Sequence, residues 1–447
     1  MMLGYYLKLA IRSFRRNVAL TALMVTVVGF GIGASATVLT TLRAMAVDPI
    51  PDKSSQLFVP QIDPWGPPTR PGAASATGDQ MLDQLTYRDA VALMKAHRAV
   101  RQSAMYAVSL DATASDGVPF PVPGRAAYAD FFRMFEVPFR QGAPWSEADD
   151  QGGTNVVVLS AKLANRLFSH ADPVGKTISL SDRDYRVVGV IDDWNPVPRY
   201  YDLTQGQGNG LADAESVFVP FATAINRQMP ANGSMRCNAR FVPGWAGQLA
   251  SECIWIQFWA ELPTAAAARD YKAFLYNYAA QQRQLGRFHG PPTVELRDVR
   301  QWMAVKIAVP DTLRVSSVVA FGFLIVCLTN AAGLMLARFS GRAGELGIRR
   351  ALGASRWDIC LQCVTETAVV GLPGGMLGLG LTAAGLASQR ALHMISGGTG
   401  AVARATSLDG SMIVITVVLA VCATVCSALY PVWRASLVQP AWQLKRQ

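Results

Sequence analysis

Four stretches of the chain run for more than twenty residues without Asp, Glu, Lys or Arg: between Arg16 and Arg43, Arg314 and Arg338, Glu366 and Arg390, and Asp409 and Arg434. A helix needs about 20 apolar residues to cross the hydrocarbon core of a bilayer. The pattern therefore predicts transmembrane helices over 17–42, 315–337, 367–389 and 411–433. The first could be mistaken for a signal peptide, because Ala34-Ser35-Ala36 looks like a cleavage site. The apolar run continues through Val38, Leu39 and Leu42, longer than a signal-peptide core usually is.

The long segment between the first two spans, 43–314, has another rhythm. Short β-branched or aromatic runs alternate with helical patterns. Strands are expected at 57–59, 155–159, 254–259 and 294–296, with a hairpin of 177–180 and 185–191 around Ser181-Asp182-Arg183-Asp184. Helices are expected at 87–97 behind a Thr86 cap, at 161–168 and at 263–285. Pro/Gly-rich loops fill 60–78 and 196–210. The expected fold is thus a membrane protein of four transmembrane α-helices with a large mixed α+β extracytoplasmic domain of two lobes. Lobe one takes 43–105 and 243–314, and an inserted lobe two takes 106–242.

Charge then orients the chain. Lys8, Arg12, Arg15 and Arg16 precede the first span with no acid among them. Arg338, Arg342, Arg349, Arg350 and Arg356 lie between spans two and three, and Arg434, Lys445 and Arg446 follow span four. Basic residues gather on the cytoplasmic side of a membrane. Both termini (1–16 and 434–447) and the 338–366 loop are therefore expected inside, with 43–314 and the short 390–410 segment outside, in a bacterial inner membrane. The formal net charge is +10, but 43–314 carries 27 basic and 27 acidic residues. The excess marks the inner membrane edge and its lipid, and no nucleic-acid partner is expected. Only 16% of residues are charged, against about 25% in soluble proteins.

Chemistry is sparse. Gly175-Lys176-Thr177 has His170 where a phosphate-binding loop needs Gly, so it is not read as a nucleotide site. The four His show no metal-ligand spacing. No catalytic residue, cofactor or metal is expected in this chain, nor an enzymatic activity of its own. Cys237 and Cys253, alone among the seven Cys in the outer segment, are either a disulfide or two buried thiols. Cys360-x-x-Cys363 opens a membrane helix and is read as coincidence. The expected spans hold no Asp, Glu, Lys or Arg, which disfavours ion coupling. Gly29-x-x-x-Gly33, Gly371-x-x-x-Gly375 and Gly374-x-x-x-Gly378 offer small faces for close helix contact, and Pro373 is expected to kink span three.

The 338–366 loop is the sharpest feature. In Glu345-Leu346-Gly347-Ile348-Arg349-Arg350-Ala351-Leu352-Gly353-Ala354-Ser355, Ile348, Ala351 and Leu352 form an apolar stripe at helical spacing, and Leu346, Arg349 and Arg350 a basic one. Gly353 should end that helix and Ser355 cap the next. This loop resembles the signature of the FtsX/MacB permease family. Leu9–Asn17 is similar to the family's amphipathic first helix. Val156–Ser160, Asp172–Ile178 and Val187–Val190 resemble the MacB-type periplasmic core.

The resemblance implies the permease subunit of an ATP-binding-cassette transport system. Motion driven by ATP on a separate cytoplasmic ATPase would be relayed to the periplasmic domain, since the chain opens at the first membrane helix. Glu345, Gly347, Arg349, Arg350, Gly353 and Ala354 would sit at the ATPase contact. A second permease copy or paralogue, a periplasmic adaptor and an outer-membrane channel are the implied partners, and efflux of a small molecule or peptide the implied task. Lipoprotein release, or FtsX-like control of cell-wall hydrolases, are the alternatives.

Overall fold

The computed structural model describes residues 18–46, 48–66, 81–113, 117–169, 171–196, 198–204, 215–306, 311–342, 344–345, 348–349, 352–395 and 410–436. The expected amphipathic helix 1–16, Gly347, Arg350, and most of the 390–410 and 434–447 segments lie outside the described residues. The chain divides into two compact units. One comprises 1–46 with 309–447, the other 47–308.

The first unit holds four long apolar helices: α1 (Val18–Ala46), and three near the C-terminal end of the chain, Asp311–Ser340, Arg356–Ile395 and Gly410–Ser436. Each contains a segment long and apolar enough to cross a membrane. The glycine motifs explain how they pack. A Cβ on Gly378 would lie 2.9 Å from Ile32, and one on Gly374 would lie 3.0 Å from Val28, so this pair of glycines receives α1. Gly33 returns the contact against Leu381. Gly371 and Gly375, one position round the same helix, receive Thr424 and Ala420 of the last helix. Two interleaved small-residue motifs therefore seat two different neighbours. The third apolar helix runs unbroken through Pro373 from Arg356, well before the expected start of its span at 367.

The second unit is built on an eleven-stranded mixed sheet. Its strands are β1 (Leu57–Ile62), β2 (Leu85–Thr86), β3 (Arg101–Thr113), β4 (Pro119–Ala127), β5 (Phe139–Gly142), β6 (Val156–Ser160), β7 (Thr177–Leu180), β8 (Arg183–Ile191), β9 (Val217–Pro220), β10 (Ile254–Glu261) and β11 (Val294–Asp298). The order is β11-β1-β10-β3-β4-β9-β6-β8-β5, with β2 on β10 and β7 bridging β3 and β8. All eight residues of β10 are buried, as a central strand covered on both faces requires. The long β3–β4 ladder, from Met105↔Ala127 to Thr113↔Pro119, carries the sheet from the terminal strands into the central ones. The pieces assigned to lobe one and lobe two share this one sheet.

Seven short or medium helices pack around it: α2 (Tyr87–Ala96), α3 (Asp130–Met134), α4 (Glu147–Gly152), α5 (Ala161–Phe168), α6 (Phe221–Asn226), α7 (Trp245–Ala250) and α8 (Ala265–Gln284). Then α9 (Val299–Lys306) closes the unit, so the remaining apolar helices are α10 (Asp311–Ser340), α11 (Arg356–Ile395) and α12 (Gly410–Ser436). Local chemistry sets the boundaries. Thr86, Ser160 and Thr264 each accept a bond from the backbone N–H three residues on, at 3.1, 3.3 and 3.1 Å. Ser181 and Asp182 take φ of 47° and 60°, the left-handed pair a two-residue hairpin turn demands, so β8 begins at Arg183, two residues earlier than expected.

Candidate functional site

The connection between α10 and α11 carries the residues singled out from the sequence. Residues 344–345 and 348–349 are helical, and Leu352 N–H donates to Ile348 O at 3.0 Å. Ala354 N–H then reaches back five residues to Arg349 O, at 3.1 Å, across Gly353 at φ 102°. That six-to-one bond with a left-handed glycine is the Schellman stop, and a side chain at Gly353 would be strained in it. Ser355 and Asp358 form a reciprocal cap for α11: Asp358 N–H donates to Ser355 Oγ at 3.2 Å, and Ser355 N–H donates to Asp358 Oδ2 at 3.0 Å.

Charged side chains brace this turn. Arg342 donates to both carboxylate oxygens of Glu366, at 3.2 and 3.0 Å, and its Nε to Glu345 at 3.2 Å. Arg349 donates to Glu345 at 3.1 Å and to Gln362 Oε1 at 2.7 Å. Gln362 Nε2 closes the ring by donating to Glu366 at 3.1 Å. Glu366 and Gln362 are buried. The ring therefore ties the end of α10, the connection and the first turns of α11 into one piece.

Of the expected contact residues, Glu345 and Arg349 thus face the chain itself, while Gly353 and Ala354 shape the turn. Among the described residues the connection exposes three large apolar side chains, Ile348 at 60%, Leu352 at 83% and Trp357 at 72%, beside exposed Ser355 and Arg356. Arg342, Gln362 and Glu366 are the members of this brace that the sequence did not single out. Their signal was present as Gln362 and Glu366 one helical turn apart at the start of an apolar run.

The outer unit holds a second ionic constellation, with no place in the expectations. Arg125 on β4 is wholly buried. Its Nε donates to Glu215 at 2.8 Å and its Nη2 to Asp202 at 2.5 Å. Arg199 donates to Glu215 at 3.1 Å, Tyr201 Oη to the other Glu215 oxygen at 2.7 Å, and Gln257 Nε2 to Asp202 at 3.1 Å. Burial opposes ionisation of Glu215, but the Arg125 and Arg199 charges outweigh it and bring its carboxyl down to about 2. The set is two cations against two anions and anchors 199–202 and 215 to the sheet. It contains no nucleophile with a base beside it. No group of His, Cys, Asp and Glu suited to a metal occurs among the described residues. Cys237 and Cys253 are joined as a disulfide across 16 positions of sequence. Beside it, Arg236 pairs with Asp83, and Glu252 with Arg88 and Arg287.

Residues 19–268 match the family described as the MacB-like periplasmic core domain, and residues 317–440 the FtsX-like permease C-terminal family. The chain belongs to the MacB/FtsX permease family. It is 25% identical over 255 residues to the pyoverdine export ATP-binding/permease protein PvdT of Pseudomonas aeruginosa, covering 56% of this chain and 33% of that one. It is 24% identical over 382 residues to the macrolide export ATP-binding/permease protein MacB of Vibrio parahaemolyticus, covering 83% and 50%. The chain spans between a third and about half of the length of these permease relatives. Among solved structures it is similar to the periplasmic region of MacB from Actinobacillus actinomycetemcomitans, with 14% identity, a TM-score of 0.35, and coverage of 56% of this chain and 92% of that one.

Proposed function

We propose that this permease relays ATP-driven motion from a partner ATPase subunit to its outer domain, in the export of a small molecule or peptide. The observation that carries this reading is the α10–α11 connection: braced internally by Arg342, Glu345, Arg349, Gln362 and Glu366, and presenting Ile348, Leu352 and Trp357 to its surroundings. A braced turn between two spans, with three large apolar side chains exposed, is what a force-bearing contact needs: the partner grips those side chains and the brace passes the load to both helices. Basic flanks put this connection and both termini in the cytoplasm, and the sheet domain outside the inner membrane. The relatives named as export proteins support the direction of transport, and their ATP-binding/permease names support the energy source. The 447 residues contain no phosphate-binding Gly-rich loop of their own. Two copies pair across the membrane, and an adaptor with an outer-membrane channel completes the path.

Affinity purification from native membranes tests this. A stoichiometric ATPase is expected with the wild-type chain. Leu352→Glu combined with Trp357→Ala should reduce its recovery at least about tenfold while membrane insertion stays normal, the scale expected for an interface anchor. Undiminished recovery with that double variant would remove the connection as the contact. Charge reversal at Arg349 and Arg350 should lower ATPase stimulation with insertion intact.

A further inference from the structure

The bond between Cys237 and Cys253 joins two unequal attachments. Cys253 is 2% exposed, just ahead of β10. Glu252 beside it pairs with Arg88 and Arg287, both at 3.2 Å, and its backbone oxygen accepts from Trp65 Nε1 at 2.8 Å. Cys237 is exposed. Arg236 beside it pairs with Asp83 and, through the backbone, with Ile254. No residue from Ala231 to Ala250 is buried. Phe241, Trp245 and Leu249 rest partly buried on the core, and Trp245 Nε1 donates to Ile225 O at 3.1 Å. The segment after Cys237 thus lies on the sheet domain without being built into it.

Backbone pairing keeps the two cysteines opposed. Arg236 N–H donates to Ile254 O at 3.0 Å, and Ile254 N–H donates to Arg236 O at 2.8 Å. Cys237 and Cys253 are the next opposed pair along, at the position where side chains stand closest across an antiparallel ladder. The two sulfurs therefore remain facing when the bond between them is broken, and can rejoin. Asp83 carries the state of this pair outward. One of its oxygens pairs with Arg236, and the other accepts from Lys306 Nζ at 2.5 Å. Lys306 ends α9, the last helix of the sheet unit before α10 opens at Asp311. Asp83 thus ties the residue ahead of Cys237 to the helix by which the chain leaves that unit.

We infer that the Cys237–Cys253 bond is a thiol–disulfide exchange site, entered at Cys237, whose oxidation state sets how firmly the 236–250 segment and the end of α9 are held together. The partner is a dithiol protein. Its thiolate attacks Cys237 Sγ, because Cys253 is covered. A sulfur–sulfur bond then joins the two proteins, and Cys253 leaves as a thiolate and takes up a proton. The partner's second thiolate attacks its own sulfur in that bond and releases Cys237 as a thiol. Two electrons and two protons pass from the dithiol to this chain, and the dithiol ends as a disulfide. Reduction unpins the Cys237 side, since Glu252 and the core keep the Cys253 side in place. Arg236 then moves with its loop, and the Asp83–Lys306 contact loosens with it. The site rests on the reading that the sheet unit lies outside the cytoplasm, where disulfides form and persist.

Cysteine trapping and hydrogen exchange on the full-length chain test this. A membrane-impermeant maleimide, added to intact spheroplasts with an impermeant phosphine reductant, should label Cys237. Labelling only after lysis removes the outer placement, and the site with it. Thioredoxin left with one attacking thiol, its second active-site cysteine replaced by Ser, should form a mixed disulfide with the purified chain, mapped to Cys237 by peptide mass. A mixed disulfide at Cys253, or none while the chain stays folded, overturns the exchange site and leaves the outer placement standing. On reduction, amides of 237–250 should exchange about tenfold faster or more, and those of the last turn of α9 about threefold faster, with β10 unchanged. Asp83→Asn in the oxidised chain should speed the α9 turn and leave 237–250 protected. Acceleration spread evenly over the sheet would make the bond a general staple, and an α9 turn unmoved by reduction would break the tie through Asp83. Either result overturns the inference.

Discussion

Asp150 and Glu215 show how burial decides the behaviour of a single carboxyl. Asp150 accepts from Ala129 N–H at 2.7 Å and Trp145 Nε1 at 2.6 Å, yet burial prevails and raises its carboxyl to about 7. The folded state therefore holds a proton that the unfolded chain releases near pH 4. By linkage, the stability associated with this group falls as pH rises from about 4 to about 7. Glu215 has the opposite sign: its paired charge stabilises above its ordinary range, and that contribution is lost as pH falls toward about 2. Thermal unfolding of the detergent-solubilised chain across pH should show both slopes, and Asp150→Asn should flatten the one between pH 4 and 7. Arg125→Met leaves Glu215 and Asp202 buried with one cation fewer. It should destabilise the outer unit by about 3–5 kcal/mol, the range for breaking a buried pair, visible as an early loss of tryptophan fluorescence. None of this was readable from spacing, because Arg125, Asp202 and Glu215 lie up to 90 positions apart and only the β4 ladder brings them together.

Helices and strands were read unevenly, for physical reasons. The apolar helices follow from unbroken runs, α2 from its Thr86 cap, and α5 and α8 from their helical patterns. By contrast β3 and β4 escaped notice. Their residues include Gln102, Ser103, Asp111, Pro119, Pro121 and Pro123, a composition that denies a strand its usual signature although the ladder forms over nine pairs. The turn at Gly353 was legible because stop and cap signals are local. The Arg342–Glu366 brace was not, being a contact between two helices. At this scale the glycine seats are the sharpest test. Gly378→Leu must displace Ile32 or the backbone of α1, and overpacking of this kind costs about 1–3 kcal/mol. The variant should lower the melting temperature of the membrane unit, while Gly380→Leu, which meets open space, should not. Replacing Cys237 and Cys253 by Ala should destabilise the outer unit by up to about 3 kcal/mol, as for other cross-links of this loop length, checked by unfolding with and without reductant.

For the whole molecule, the family matches cover both the helical unit that carries the brace and the unit built on the sheet. The outer unit begins and ends on paired strands. β1 and β11 lie side by side from Phe58↔Asp298 to Ile62↔Val294. Just before and after them, Asp48 accepts from Arg300 at 2.9 Å, and Val299 N–H donates to Ser54 O at 3.2 Å. A domain of some 260 residues whose first and last elements pair with each other is, in genetic terms, a cassette. It can be lifted out or exchanged for a relative's without lengthening either junction. Recombination at two sites in the gene, one at each junction, would then replace the whole sheet domain and leave the sequence of the membrane helices untouched.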